Sequence, residues 1–287
     1  MGQIADQNPA VKKQIIIEPS RGWISLQLRV LWQYRELLYF LIWRDLKVRY
    51  KQTALGIGWI ILQPLISMVI FSFLFGGLLE VPSGGVPYPI FVYAGLLPWN
   101  YFANSLNRSS TSLVNNQNLI TKVYFPRLVV PISGVMSGLV DFSVSFIVLI
   151  VLMIIFKFYP TPYIVFLPGF LLLAIITALG FGLWLSALNV RYRDVNYITP
   201  FLIQIWMYLT PVIYPVTIIP EKLRFLLALN PMTGVVEGFR WALLGDQLTD
   251  VQPPGSIFLL SIAISLFVLV SGTMYFRRTE RKFADII

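Results

Sequence analysis

The residue types that most often carry out chemistry in proteins are few in this 287-residue sequence. It contains no Cys and no His, which removes disulfides, thiolate chemistry, the usual proton shuttle and the commonest metal ligand. A GxxxxGK(S/T) phosphate-binding loop, paired carboxylates at catalytic spacing and a Ser/His/Asp set are also missing. The sequence therefore argues against an enzyme, a metal centre and a cofactor held by this chain.

Asp141 is the acidic residue that lies well inside a long apolar segment, about 20 Å along a helix that begins at Leu128. No basic residue within an apolar segment is an obvious partner for it. It could be a proton site, a hydrogen-bonding strut between helices or a polar group facing a pore. We favour the last two, because a single carboxylate would be an unusually small number of ionisable groups for a proton-coupled transporter.

The segments that must position such residues are hydrophobic. The chain is 12% charged and 57% hydrophobic, with a mean hydropathy of +0.73, whereas a soluble domain carries about 25% charged residues. Its apolar runs of about twenty residues match helices that cross a bilayer. We predict an all-α integral membrane domain over residues 26–276 with six spanning helices, at 56–79, 89–106, 128–156, 163–189, 198–218 and 256–276.

The basic residues predict the orientation of these spans, because Lys and Arg are enriched in cytoplasmic loops. With both ends of the chain inside, eighteen of the 22 Lys and Arg residues are cytoplasmic. We therefore predict cytoplasmic tails at 1–25 and 277–287. The basic residues flank the membrane and form no single patch, which argues against a nucleic-acid partner for this basic chain.

Residues 26–52 are predicted to form an amphipathic helix that lies in the membrane plane on the lipid headgroups. Arg44, Lys47 and Lys51 share one face of this helix. The opposite face carries apolar and aromatic residues, namely Tyr39, Ile42, Trp43, Leu46 and Tyr50. A helix of this kind could also be a plain lipid anchor with no further role.

Two links between spans are longer than turns require. Residues 104–125 are rich in Ser, Thr and Asn and then become amphipathic. This pattern predicts a short cytoplasmic helix that could dock a partner. A solvated loop has the same composition and is the alternative.

The second link, residues 219–255, holds two apolar segments that are too short to cross the bilayer. We predict a re-entrant pair that lines a passage, with an extracellular helical cap as the alternative.

Aromatic residues make up 15% of the chain. If rings in spans one and five face a pore, they offer a surface on which sugar rings can stack, although ordinary helix packing explains most such rings. The candidates for this glycan channel are Trp59, Phe71, Phe75, Trp206, Tyr208 and Tyr214.

Four segments of the sequence resemble the permease subunits of ABC-2 type exporters, and in particular the branch that exports O-antigen, capsular polysaccharide or teichoic acid. They are RDLKVRYKQTALGIGWIILQPL (44–65), NLITKVYFPRLVVP (118–131), RYRD (191–194) and LNPMTGVVEGFRWALLG (229–245). The resemblance runs from about residue 32 to residue 276.

This resemblance implies a homodimer in the bacterial inner membrane, bound to two copies of a separate nucleotide-binding subunit that carries ATP and Mg. Its cargo would be an undecaprenyl-type lipid-linked polysaccharide. The in-plane helix and the short cytoplasmic helix would contact the ATPase through Arg44, Lys47, Arg49, Asn116, Asn118 and Lys122. Helices at 221–229 and 233–244 would form an outer gate with Phe225, Glu237, Arg240 and Trp241.

Two other functions remain open on the sequence alone, and a third is disfavoured. One is an ABC-2 exporter of small amphipathic drugs or lipids, and another is a proton-coupled carrier that works without an ATPase. A membrane enzyme acting on lipid-linked sugar lacks the convergent acidic or histidine site that it needs.

The size of the cargo also bears on the oligomeric state. Six helices packed at about 8–10 Å leave little room for a hydrated glycan, so a pore between two subunits is the simplest arrangement.

Overall fold

The structure of this chain is a computed structural model that describes residues 28–51, 56, 58–248, 255–280 and 283. Most of these residues are helical, and the all-helical prediction is confirmed for them. The predicted N-terminal tail at 1–25 lies outside the described residues. The main helices are α1 (Leu28–Gln33), α2 (Arg35–Lys51), α3 (Gly58–Phe71), α4 (Tyr88–Asn115), α5 (Gln117–Lys122), α6 (Val129–Ile155), α7 (Leu167–Arg191), α8 (Val195–Leu209), α9 (Glu221–Ala228), α10 (Pro231–Leu244) and α11 (Ser256–Glu280).

Within the described ranges, four helical stretches are long and apolar enough to cross a membrane. They are Gly58–Leu78, Val129–Ile155, Pro162–Arg191 and Ile257–Glu280. These stretches coincide with the predicted first, third, fourth and sixth spans. The first of them continues from α3 into a π-helix over Ser72–Leu78, and the third begins with a 3₁₀ turn over Pro162–Phe166.

The predicted fifth span, 198–218, differs from the structure. Helix α8 ends at Leu209, and Thr210 has an extended backbone with φ −102° and ψ 137°. Pro211 follows directly, and proline disfavours the helical conformation of the residue before it. With 15 residues, α8 is about 22 Å long, which is shorter than a hydrocarbon core of about 30 Å.

The predicted link between spans two and three begins later than expected. Helix α4 does not end near residue 106 but continues to Asn115, through a Ser-rich stretch that has weak helix propensity. Ser105, Ser109, Ser110 and Ser112 are buried there. Ser hydroxyls in this stretch bond to the helix's own carbonyls, and tertiary packing overrides the local preference.

Helix α4 is the centre of the bundle, since it packs along both α6 and α7. Helix α11 packs against α7, and α10 packs against α4, α7 and α11. A methyl group at Gly180 of α7 would approach the backbone nitrogen of Leu269 in α11 to 2.7 Å. The absence of a side chain at this glycine therefore lets the two helices touch backbone to backbone, as is common in membrane bundles.

A second hydrophobic cluster joins the helix ends at one end of the bundle. It includes Leu41 of α2, Ile120 of α5 and Phe276 of α11, together with the C-terminal part of α7. The rings of Phe276 and Phe283 meet edge to face with their centroids 5.5 Å apart. The N-terminal helices, the short helix α5 and the C-terminal end of α11 therefore lie at the same end of the molecule.

The predicted helix over residues 26–52 is two helices in the structure, because the helix is interrupted at Tyr34 between α1 and α2. Helix α2 packs against α6 and buries Leu41. Tyr39 and Trp43 remain exposed, in agreement with the predicted apolar face. Tyr50, predicted on that face, turns inward instead and hydrogen-bonds to Asp141.

Candidate functional site

The carboxylate of Asp141 joins three helices. Arg49 of α2 donates from Nη1 to its Oδ2 at 2.9 Å, and the Tyr50 hydroxyl donates to its Oδ1 at 2.6 Å. Arg108 of α4 also forms an ion pair with Oδ2. Burial, followed by the hydrogen bond to Asp141, raises the pKa of the Tyr50 hydroxyl above its ordinary value, so this group stays protonated and remains a donor.

The basic partners of Asp141 come from outside the predicted spans. Arg108 was assigned to a cytoplasmic link, but α4 extends far enough to hold it beside α6. Arg49, a predicted ATPase contact, directs its guanidinium to Asp141. Two cations, one on α2 and one on α4, therefore share the carboxylate on α6 and link the three helices.

Two of the predicted docking elements meet at one point. Arg44 of α2 donates from Nη2 to Oδ1 of Asn116, the residue between α4 and α5, at 2.6 Å. The same guanidinium pairs with Asp45 at 2.8 Å. Helices α2 and α5 therefore present a single surface at the end of the bundle.

The remaining predicted docking residues surround this contact. Lys47, Asn118 and Lys122 are exposed, and the Lys47 ammonium lies 4.3 Å from the centroid of the Trp43 ring. Tyr124, just after α5, is 76% exposed. The surface around α5 thus combines exposed cationic, amide and aromatic groups.

The predicted channel aromatics fall into different environments. Trp59 on α3 is half exposed, whereas Phe71 and Phe75 contact each other edge to face at 6.1 Å and are partly buried. Tyr208 on α8 is exposed, and Tyr214 donates from its hydroxyl to the carbonyl of Tyr208 at 3.0 Å.

Trp206 faces the interior of the subunit. Its ring packs edge to face on Phe102 at 5.1 Å and on Phe181 at 4.8 Å. Its Nε1 donates to Oδ1 of Asn230 at 2.9 Å. Asn230 also caps the N-terminus of α10 and donates to the Thr210 hydroxyl at 2.8 Å. Trp206 therefore belongs to the junction between α8 and α10.

Arg240, a predicted gate residue, lies fully buried below the end of α8. It donates from Nη1 to the Pro211 carbonyl at 2.6 Å and from Nη2 to the Val212 carbonyl at 2.5 Å. It also pairs with Glu237 at 3.0 Å and stacks 3.8 Å from the centroid of the Phe91 ring. The guanidinium satisfies the carbonyls that the break after α8 leaves without helical partners.

The other two predicted gate residues differ in exposure. Trp241 stacks on Tyr163 with ring centroids 4.6 Å apart and also contacts Phe170. Phe225 on α9 is 63% exposed. The short helices α9 and α10 agree closely with the predicted segments at 221–229 and 233–244.

Sequence reasoning missed two residues that organise these sites. The Ser- and Asn-rich sequence around Arg108 is typical of a link, so local pattern does not predict that Arg108 lies on a helix beside Asp141. Asn230 lies between the two predicted short helices, and its role as a cap was not predicted. The Asn-Pro pair of residues 230–231 is a typical helix start, with a capping side chain followed by proline in the first turn, and could have revealed the cap.

Comparison with known proteins assigns most of the sequence to one family. The family model for the ABC-2 type transporter matches residues 36–244. The chain is 33% identical over 264 residues to the O-antigen export system permease protein RfbA of Myxococcus xanthus, covering 91% of this chain and 98% of that protein. It is 31% identical over 255 residues to the protein of the same name from Klebsiella pneumoniae, covering 88% and 95%.

A more distant relative is the polysialic acid transport protein KpsM of Escherichia coli, which is 26% identical over 213 residues, covering 72% of this chain and 81% of that protein. The family match spans most of the chain, and it includes α2, α5 and α10, which carry the groups described above. The chain therefore belongs to the ABC-2 type transporter family and is a multi-pass membrane protein.

Proposed function

We propose that this chain is the membrane subunit of an ATP-driven exporter that moves a lipid-linked polysaccharide across the bacterial inner membrane. Its relatives named as O-antigen export permeases align over nearly their whole length, which supports the same class of cargo. It works as a homodimer with two copies of a soluble ABC ATPase. The ATPase supplies the nucleotide site and the Mg, and this chain has no catalytic role.

The observation that carries this proposal is the hydrogen bond between Arg44 and Asn116. It ties α2 to the start of α5, so that one continuous surface with exposed cationic and amide groups covers this end of the bundle. A soluble motor bound there would move both elements together. Because α2 also reaches Asp141 through Arg49, movement at this surface would be transmitted to α4 and α6.

The cargo would pass between the two subunits, along α3 and α8. Both helices expose apolar and aromatic side chains in the single subunit, among them Trp59, Phe201 and Tyr208. Helices α9 and α10 would close the outer end of this path. The contacts of Arg240 and Asn230 with the break after α8 support such a gate, since they join it to a helix of the channel.

The proposal is tested by reversing charges at the docking surface without disturbing the bundle. Lys47→Glu and Lys122→Glu alter exposed side chains, so insertion and folding should be retained. The double variant should bind less ATPase in co-purification and should export less polysaccharide in cells. Lys157→Glu, at an exposed position just beyond the C-terminal end of α6, is the control and should behave as the parent.

Two results would contradict this function. Normal ATPase binding and normal export by the double variant would show that this surface does not dock the ATPase. Uphill transport by the purified chain reconstituted without any ATPase would favour the proton-coupled carrier instead.

A further inference from the structure

A cavity of about 210 Å³ lies between the end of α2 and the helices α3, α4 and α6. The Asp141 cluster forms part of its wall. The other wall residues include Trp59 and Gln63 of α3 and Asn100 and Asn104 of α4. The cavity wall therefore combines charged, amide and aromatic side chains.

The charges of this cavity do not cancel. Its lining holds two cations, Arg49 and Arg108, and one anion, Asp141. The Nη1 atom of Arg108 is buried and has no hydrogen-bond partner among the described residues. A cationic site inside a membrane bundle is costly unless a second anion approaches. The charge excess therefore favours a negatively charged ligand.

Three carboxamide side chains in the cavity wall also lack partners among the described residues. The carboxamides of Gln63, Asn100 and Asn104 hydrogen-bond to no other residue that the structure describes. Gln63 and Asn104 are exposed in the single subunit. Three amide groups with free donors next to two guanidinium groups match the several acceptor oxygens of a phosphate group.

We infer that this cavity binds the phosphate group of a membrane lipid, with Arg49 and Arg108 as its cationic partners and the carboxamides as additional donors. Asp141 then acts as the competing anion that holds both arginines in position while the cavity is empty. The phosphate could belong to a polyprenyl phosphate or to an ordinary phospholipid. Only the first source rests on the proposed function, because it is the carrier of the exported glycan.

The test is native mass spectrometry of the purified permease without its ATPase, so that failure of export does not affect the result. The probes are undecaprenyl phosphate, phosphatidylglycerol and inorganic pyrophosphate, added separately. We expect lipid adducts that Arg49→Gln weakens by about tenfold. Asp141→Asn removes the competing anion while keeping both arginines, so it should bind the lipid several-fold more tightly.

Two further variants make the test independent of folding. Gln63→Leu leaves both ion pairs intact and should still weaken lipid binding, whereas Arg193→Gln removes an exposed cation outside the cavity and should change nothing. Preference for undecaprenyl phosphate would identify the cargo carrier as the ligand, and equal binding of both lipids would support a general phospholipid site. Binding of pyrophosphate alone, or equal lipid binding by the parent, Arg49→Gln and Gln63→Leu, would overturn the inference.

Discussion

Arg240 donates hydrogen bonds to backbone carbonyls that the break after α8 leaves without helical partners. Residues 210–214 leave the helical conformation, so their carbonyls lose partners in a region shielded from water. One guanidinium carries five donors, and here it reaches the carbonyls of Pro211 and Val212 while pairing with Glu237. Lysine has three donors on one nitrogen and cannot reproduce the planar, spread arrangement of donors on a guanidinium.

Replacing Arg240 with Met should destabilise the protein strongly, because it leaves several buried acceptors unpaired. We expect a loss of about 3 kcal/mol or more in the free energy of unfolding. Arg240→Lys should recover only part of it. Thermal unfolding in detergent, followed by intrinsic fluorescence, measures the difference. Lys222→Met, at an exposed position on α9, is the control, and equal melting temperatures for all four proteins would contradict the role of Arg240.

Trp206 and Tyr208 should respond differently to replacement by Ala, although both were predicted to line a channel. Tyr208 is exposed, so Tyr208→Ala should lower polysaccharide export with little change in melting temperature. Trp206→Ala removes two ring contacts and the hydrogen bond to Asn230, and should cost about 3–5 kcal/mol of stability. Unchanged export by Tyr208→Ala would show that this ring does not contact the cargo.

At the scale of elements, the close approach of α7 and α11 depends on small residues. Gly180 and Gly272 face each other, and a methyl group at Gly272 would meet the Gly180 backbone and come within 2.9 Å of the Trp184 ring. Thr177 and Ser265 add a hydrogen bond of 2.8 Å between the same helices. Packing and polar contacts of this kind hold membrane helices together, since lipid offers no hydrophobic driving force between them.

Gly272→Ala should therefore destabilise the bundle, by about 1–3 kcal/mol, because backbone cannot move aside as a side chain can. Gly169→Ala is the matched control on α7, since a methyl group there meets nothing within 4 Å. It should be neutral or slightly stabilising, as alanine favours a helix over glycine. Resistance to unfolding in SDS compares the two variants, and equal resistance would contradict backbone contact between α7 and α11.

At the scale of the whole molecule, helices α3 and α8 each expose an apolar face in the single subunit. Helix α8 exposes Tyr197 to 83% and Phe201 to 62%. Helix α3 exposes Trp59, Leu62 and Ile66. Lipid could cover these faces, as it covers the outer face of α11. A second copy of the chain could cover them equally well and would enclose the cavity of α3 and α4 from the other side.

Cysteine crosslinking can distinguish these cases cleanly, because the chain contains no native Cys. Single cysteines on the exposed face of α8 should form covalent dimers in membranes at one or more of the positions Ile198, Phe201, Ile205 and Tyr208. Equally exposed positions on α11, Leu259 and Phe267, should not. Crosslinking through α11 and never through α8 would contradict a dimer interface along α8. Denaturing gel electrophoresis measures the outcome.

Composition and local sequence pattern were sufficient to predict several features of this protein. Apolar runs of the right length predicted the helices at 128–156 and 256–276, because a bilayer demands long uncharged helices whatever their neighbours are. The short helices α5, α9 and α10 were also predicted, since Pro, Asn and Gly mark their ends. The motifs in these segments were enough to indicate the transporter family, which the family match confirms.

Which side chains meet was determined by tertiary packing alone. Arg49 and Asp141 are 92 positions apart in the sequence, and Arg240 and Phe91 are 149 apart. No local pattern encodes such pairs, because they depend on how helices are placed around one another. The same is true of α4, whose Ser-rich half has weak helix propensity and is helical because α6 and α7 surround it. Burial, which sets the cost of leaving a charge or a carbonyl unpaired, is a property of the assembled bundle.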